Sequence, residues 1–211
     1  MSSNPIQTIT PAEEANLIAY LSIPKLTISG RFRQLRNKLA VLLMLDAGLR
    51  VGEAASLPMS SVYTHPYIHA AIHLTEAMTK SHQPRSIPFS AQLRDALQEL
   101  IPSGFFCNPL SPSDPLLYSA NPRIPITTRQ LERIVKNAAI KSFGRPIHPH
   151  MLRHTFATKL MRVAPMPVVQ SLLGHQHLSS TQVYVHPNSQ DLTDAIAQMH
   201  QPPPATTDLH T

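Results

Sequence analysis

The sequence predicts a mainly helical α+β domain with one small antiparallel β-sheet set between runs of helix. Three observations predict it. Apolar residues recur at helical spacing over much of the chain, as in Leu35, Leu39, Leu42 and Leu43 at i, i+4, i+7 and i+8. A stretch at 68–74 alternates apolar and polar with a period of two. Capping and breaking residues stand where such helices would start and stop.

In chain order, the Leu35–Leu43 stripe predicts a core helix, with a bend at Gly48 and a short helix over 52–57 that stops before Pro58. Ile68, Ala70, Ile72 and Leu74 then face one way, and His69, Ala71 and His73 the other, as in a half-buried strand. A second strand returns over 85–88 after a turn at 80–84. Ser90 caps a helix carrying Leu93, Leu97 and Leu100. Six prolines between 102 and 125 forbid long helices and predict an irregular surface connection. Thr127-x-x-Gln130 is a capping-box signature for a helix with Leu131, Ile134, Val135 and Ala138. Further helices fit 151–163, 167–173 and 190–199, the second with Pro167 in its first turn and Gly174 just past its end. Phe156 and Leu160 are expected in the core.

The chain has 211 residues, and no linker divides it. The expected organisation is a flexible N-terminus over 1–9, one domain over 10–200 and a flexible tail over 201–211. Lys and Arg exceed Asp and Glu by 18 to 12, a net charge of +6 drawn from only 14% charged residues. The usual share is about 25%, so the excess is not a polybasic tail. The single Cys107 excludes a disulfide framework. No apolar run approaches the roughly 18 residues that span a bilayer, and the N-terminus has no signal-peptide pattern. The expected location is cytoplasmic. Neither G-x-G-x-x-G nor G-x-x-x-x-G-K-[ST] occurs, which argues against a nucleotide-driven enzyme.

Five of twelve histidines fall between 148 and 177. His150 and His154, at i and i+4, could face a metal together. Zinc sites usually add a third ligand, however, and nothing acidic lies between 148 and 177. No metal and no cofactor is expected. An anion site fits better, because Arg153 sits near a helix start, where free N–H groups and a guanidinium fork converge. Leu172-Leu173-Gly174-His175 presents His175 in a turn, and Tyr184 follows nine residues later. Upstream, Arg50 lies at a helix bend with Glu53 three residues on to hold its guanidinium, and Lys80 lies at the sheet turn. Two arginines, histidines, a lysine and a tyrosine suit attack on a phosphodiester by a phenol. The arginines neutralise non-bridging oxygens, a histidine takes the phenol proton and the lysine protonates the leaving 5′ oxygen. Taken alone, Tyr184 would read as an amphipathic-helix residue. His65, His69, His73 and His82 read as exposed residues without a role, His177 and His186 as surface residues, and Cys107 as a small side chain.

Four blocks carry a family resemblance: GLRVGEAASL (48–57), TKSHQPRSIPF (79–89), HPHMLRHTFATKL (148–160) and LLGHQHLSSTQVYVH (172–186). In order and spacing they resemble the signature blocks of the tyrosine recombinases, or phage integrases. The resemblance covers about 8–200, the family's catalytic domain alone, and is similar to short fimbrial-switch-type and Xer-type recombinases. It implies that Tyr184 is the nucleophile, forming a 3′-phosphotyrosyl link. Arg50 and Arg153 would grip the phosphate, His150 would act in acid–base catalysis, His175 would bond the phosphate and Lys80 would protonate the leaving group. Glu53 would support Arg50, and His154 would buttress the site.

Gly52 stands where the family commonly has Ser or Thr. The turn at Lys80 lacks the usual flanking glycines, though Arg85 and Pro88 keep their spacing from it. The implied partner is double-stranded DNA, bound by a homo-tetramer on paired sites without ATP or metal. The helix at 190–199, with Leu192, Ile196 and Met199 on one face, would dock into a neighbour or pack on its own domain. Two rivals stay open, the first of them motivated by the expectation that the family's N-terminal DNA-binding domain is missing. One is a DNA-binding regulator or accessory subunit needing a full-length partner, and the other is a type IB-like topoisomerase.

Overall fold

The structure is a computed structural model that describes residues 8–79, 83–101, 111–174 and 189–201. Helix α1 (Pro11–Ser22) opens the fold on a reciprocal cap. The Glu13 N–H donates to Thr10 Oγ1 at 3.2 Å, and the Thr10 N–H donates to Glu13 Oε2 at 2.8 Å. Sequence reasoning passed over this helix, although Thr10-Pro-Ala-Glu13 carries both the capping box and a proline at the first position. Its stripe is narrow, with only Leu17 and Leu21 buried.

Helix α2 (Ile28–Leu45) is the spine. Every residue from Leu39 to Leu45 is fully buried, so this half is apolar all round and covered all round. It packs on α1, on α4 (Ala91–Leu100) and on α6 (Pro149–Met161). Between α2 and α4 come α3 (Val51–Ser56), strands β1 (Tyr63–Thr64), β2 (Tyr67–Ile68), β3 (Ala71–Leu74) and β4 (Arg85–Pro88). Helices α5 (Thr128–Phe143), α7 (Met166–Leu173) and α8 (Ser189–Met199) are the other described α-helices. Among the described residues no helix is long and apolar enough to cross a membrane.

The expected caps form. Thr127 Oγ1 accepts from the Gln130 N–H at 3.2 Å, and Gln130 Oε1 accepts from the Thr127 N–H at 2.9 Å. Ser90 Oγ accepts from the Leu93 N–H at 3.1 Å and donates to the buried Asp46 carboxylate at 2.6 Å. The single expected sheet is two hairpins. Tyr63 and Thr64 pair with Ile68 and Tyr67, while Ala71–Leu74 pairs antiparallel with Arg85–Pro88. The expected strand over 68–74 breaks at His69–Ala70. Alternation hides the break, because Ile68 stays half-buried in the first hairpin while Ile72 and Leu74 are buried in the second.

The proline-rich connection is irregular over 111–125 but is not superficial. Leu116, Leu117 and Tyr118 are buried, and Tyr118 stacks on Phe32 with ring centroids 4.3 Å apart. Buried Arg36 donates to Tyr118 O at 3.0 Å and Ser119 O at 3.2 Å, and burial pushes this arginine down to about 10. Helix α8 lays Ala195, Ile196 and Met199 against its own domain, touching α6, α7 and β4. The face expected to dock into a neighbour is therefore covered within the chain.

Polar ties fix the start of α1. The Ile9 N–H donates to Thr155 Oγ1 at 3.1 Å, Arg145 grips Glu13 through two bonds of 2.5 and 2.8 Å, and Lys159 reaches Glu14 at 2.8 Å. The Arg145 hydrogen bonds hold the Glu13 carboxyl at about 2, below its usual 4.5. A depressed carboxyl contributes stability above its unfolded value and loses it as pH falls through the folded one. Glu13→Gln should thus lower the melting temperature above pH 4.5, with the gap to wild type closing towards pH 2. Thermal melts across that range check it, and a gap independent of pH would refute it.

Candidate active site

A cleft of about 600 Å³ opens where three helix starts meet. Arg50, Val51 and Gly52 come from the start of α3, Thr128 and Glu132 from the start of α5, and His148, Pro149 and His150 from the start of α6. Helix starts carry unpaired N–H groups and the positive end of the macrodipole, so the cleft favours an anion. Arg153, one turn into α6, shares the His150 side of that helix and also lines the cleft.

Arg50 projects from the position just before α3. Its N–H donates to Glu53 Oε2 at 2.8 Å and its Nη1 to Glu53 Oε1 at 3.0 Å. Its Nε and Nη2 make no hydrogen bond among the described residues, and the side chain is 29% exposed. Glu53 is also gripped from the far side. Arg85 on β4 donates through Nη1 to Oε1 at 3.2 Å and through Nη2 to Oε2 at 2.8 Å. Burial alone would raise the Glu53 carboxyl. The bonds and charge of Arg85, and then Arg50, outweigh it and hold the group below its ordinary value.

Arg153 is 5% exposed and bridges two chain reversals. Its Nη1 donates to Gly48 O, and its Nη2 donates to Leu173 O at 2.9 Å. Burial, followed by the nearby Arg50 charge, pushes this guanidinium down to about 10. Gly48 closes α2 with φ +61°, and the Leu49 N–H reaches back to Leu43 O at 3.0 Å. A Cβ on Gly48 would run into the Phe156 ring. The position therefore needs both the left-handed backbone and the missing side chain.

The His150 and His154 rings lie 4.4 Å apart. Burial, then the charges of His154, Arg153, His148 and Arg50, lower His150 below the usual imidazole value. Thr79 and Gln83 are tied reciprocally, the Thr79 hydroxyl donating to Gln83 O at 3.1 Å and the Gln83 N–H donating to Thr79 Oγ1 at 3.0 Å. The intervening Lys80 lies outside the described residues, as do His82, Cys107, His175, His177, Tyr184 and His186. Of the expected site residues, Arg50, Glu53, His150 and Arg153 come together around one cleft, with His154 against His150. Sequence reasoning gave Arg85 no role. Its only signal there was its spacing from Lys80.

Residues 7–191 match the phage integrase family. The chain belongs to that family. The curated relatives of this phage integrase chain include tyrosine recombinase XerC of Bacillus subtilis (strain 168), 33% identical over 170 residues, covering 79% of this chain and 54% of that protein. XerC of Listeria monocytogenes serovar 1/2a is 32% identical over 169 residues, with the same coverage of 79% and 54%. The chain spans about half the length of these relatives.

Solved structures give the same fold. The XerA recombinase crystal structure superposes with a TM-score of 0.64 at 24% identity, covering 93% of this chain and 66% of that one. XerH site-specific recombinase bound to difH substrate gives 0.62 at 20%, covering 81% and 47%. The expected mainly helical α+β class, with small antiparallel hairpins, is the tyrosine recombinase catalytic-domain fold found in this phage integrase chain.

The Gly48 reversal supplies a carbonyl to Arg153, so it links packing to the site. Gly48→Ala should destabilise the protein by roughly 2–4 kcal/mol, combining left-handed strain with overpacking against Phe156. Urea unfolding measures it, and a loss under about 0.5 kcal/mol, the range of an ordinary surface change, would refute the fit.

Proposed function

We propose that this chain is a site-specific DNA recombinase that cuts and rejoins strands through a 3′-phosphotyrosyl intermediate. The observation that carries the reading is the cleft itself, where two guanidiniums and His150 converge at helix starts in a chain of this family. Relatives named tyrosine recombinase and a neighbour described as bound to its difH substrate support it. Arg129, Arg133 and Lys136 add support. They are exposed at i, i+4 and i+7 along α5, one residue round the helix from the Thr128 and Glu132 side that borders the cleft. Such a row suits a phosphate backbone.

In the proposed step the Tyr184 oxygen bonds to the scissile phosphorus as the bond to the 5′ oxygen breaks. The phenol proton passes to His150, and Lys80 gives a proton to the departing 5′ oxygen. Arg50 and Arg153, with His175, hold the non-bridging oxygens as charge builds. Attack by a 5′-hydroxyl of the partner duplex reverses the step. The phosphotyrosyl link keeps the energy of the broken bond, so rejoining needs no nucleotide. We infer a homo-tetramer on two duplexes as the working assembly.

Incubation with nicked cognate DNA should give an SDS-resistant protein–DNA adduct that Tyr184→Phe abolishes. No adduct, or one that survives the substitution, would sink the reading. An adduct formed only with a longer recombinase added would mark an accessory subunit. Relaxation of any supercoiled plasmid would mark a topoisomerase.

His150 is held below its usual 6.5, so it keeps its neutral, proton-accepting form to lower pH than an ordinary imidazole. The cleavage rate should rise with pH, with the midpoint of that rise below 6.5, and then level off. In His150→Gln that acid limb should vanish and the plateau should fall by about 10²–10⁴-fold, the usual contribution of general acid–base catalysis. Single-turnover rates against pH check both, and an unchanged limb in the variant would remove His150 from the proton transfer.

A further inference from the structure

We propose that Arg85 is a positioning residue that fixes Arg50 and, by sharing the charge of Glu53, leaves Arg50 positive towards an anion in the cleft. For the reaction this rests on the recombinase reading, whereas its electrostatic half concerns the cleft alone.

The geometry is a carboxylate divided between two guanidiniums. Glu53 Oε1 accepts from Arg50 Nη1 at 3.0 Å and Arg85 Nη1 at 3.2 Å, while Oε2 accepts from the Arg50 N–H and Arg85 Nη2, each at 2.8 Å. Glu53 and Arg85 side chains are only 3% and 4% exposed. Two guanidiniums and one carboxylate leave one net positive charge at the cleft floor. Without Arg85, Glu53 would neutralise Arg50, and its buried oxygens would draw that guanidinium in.

Arg85 also spans the fold. It sits on β4, the arm that follows Gln83, and its Nε donates to Leu172 O at 3.1 Å in the last turn of α7. A Cβ on Gly174, where φ is +64°, would lie 3.1 Å from Arg85 Nη1 and 3.2 Å from its Cδ. One side chain therefore joins the support of Arg50, the returning arm of the second hairpin and the end of α7, whose last residue, Leu173, precedes His175 by two positions in the sequence. Arg153 takes the neighbouring Leu173 carbonyl, so two cations close the negative end of that helix.

The test titrates the full chain with inorganic phosphate by calorimetry and measures adduct formation on nicked DNA. Variants are Arg85→Met, Arg85→Lys, Glu53→Gln and the Arg85→Met/Glu53→Gln pair, with melting curves to confirm folding. Loss of one charge near the cleft should weaken phosphate binding by about tenfold in Arg85→Met. Removing the stranded carboxylate as well should restore it to within about threefold of wild type. Glu53→Gln alone should bind phosphate about tenfold more tightly, yet form the adduct about a hundredfold more slowly because Arg50 is no longer held. Arg85→Lys should keep phosphate affinity and slow the adduct about tenfold, since an ammonium has no fork.

Unchanged phosphate affinity in Arg85→Met, or a pair no better than the single variant, would overturn the proposal. If Arg85→Met does not fold, Glu53→Gln decides. Weaker phosphate binding there overturns the proposal, and tighter binding upholds it. A wild type that forms no adduct sinks the recombinase reading, and the phosphate titrations still decide the role of Arg85.

Discussion

The cleft depends on one buried carboxylate. Glu53 is held from two directions, by the backbone and side chain of Arg50 beside it and by Arg85 from another element. Such a pair is weak evidence of stability, because desolvating the two ions offsets much of their attraction. Apolar side chains of the same shape could fill the space, but they could not hold a guanidinium with part of its fork turned to the cleft. The ion pair is better understood as a placement device whose electrostatic consequence is felt at Arg50.

The remaining frame uses the same physics on backbone carbonyls. Helix and turn ends leave C=O groups without partners, and burying them unpaired costs about 1–3 kcal/mol each. Gly48 O, Leu172 O and Leu173 O meet this need through Arg153 and Arg85. Each guanidinium satisfies a carbonyl and is fixed by it. The two glycines that expose or border these contacts, Gly48 and Gly174, both have positive φ. Chain reversal, helix termination and cation placement thus share the same few atoms, resting on an α2 whose second half is buried on every side.

How much of this was legible in the sequence follows from the range of each interaction. Caps are local, so Thr127, Ser90 and Gly174 marked helix ends correctly. The helix over 11–22 carries a weak periodic signal, since its stripe holds only two buried residues despite a complete capping box. The break at His69–Ala70 left no trace, since period-two alternation continues across it. Burial of Leu116–Tyr118 was hidden by the surrounding prolines, which report backbone geometry and not depth. Within the site, Arg50–Glu53 and His150–Arg153 lie three residues apart, which makes them readable. Arg85 pairs with Glu53 across 32 residues, and no local pattern encodes such a contact.

The choice of arginine at position 153 has a physical reason. Burial pushes Arg153 to about 10. At pH 7 a group with that value is neutral in about one molecule in a thousand, so nearly the whole charge survives desolvation. A lysine starts from a lower value, so the same burial would bring it closer to neutrality and cost it more of its charge. Lysine would also lack a second donor in a fixed fork, and Arg153 uses two donors to reach Gly48 O and Leu173 O. A cation fixed in advance by the protein has no water shell to shed and no rotamer to find when an anion arrives, which gives preorganised sites their electrostatic strength. Arg153 can therefore sit deep in the frame and still present its charge to the cleft, while Arg50, more exposed, depends on Glu53 to stay in place.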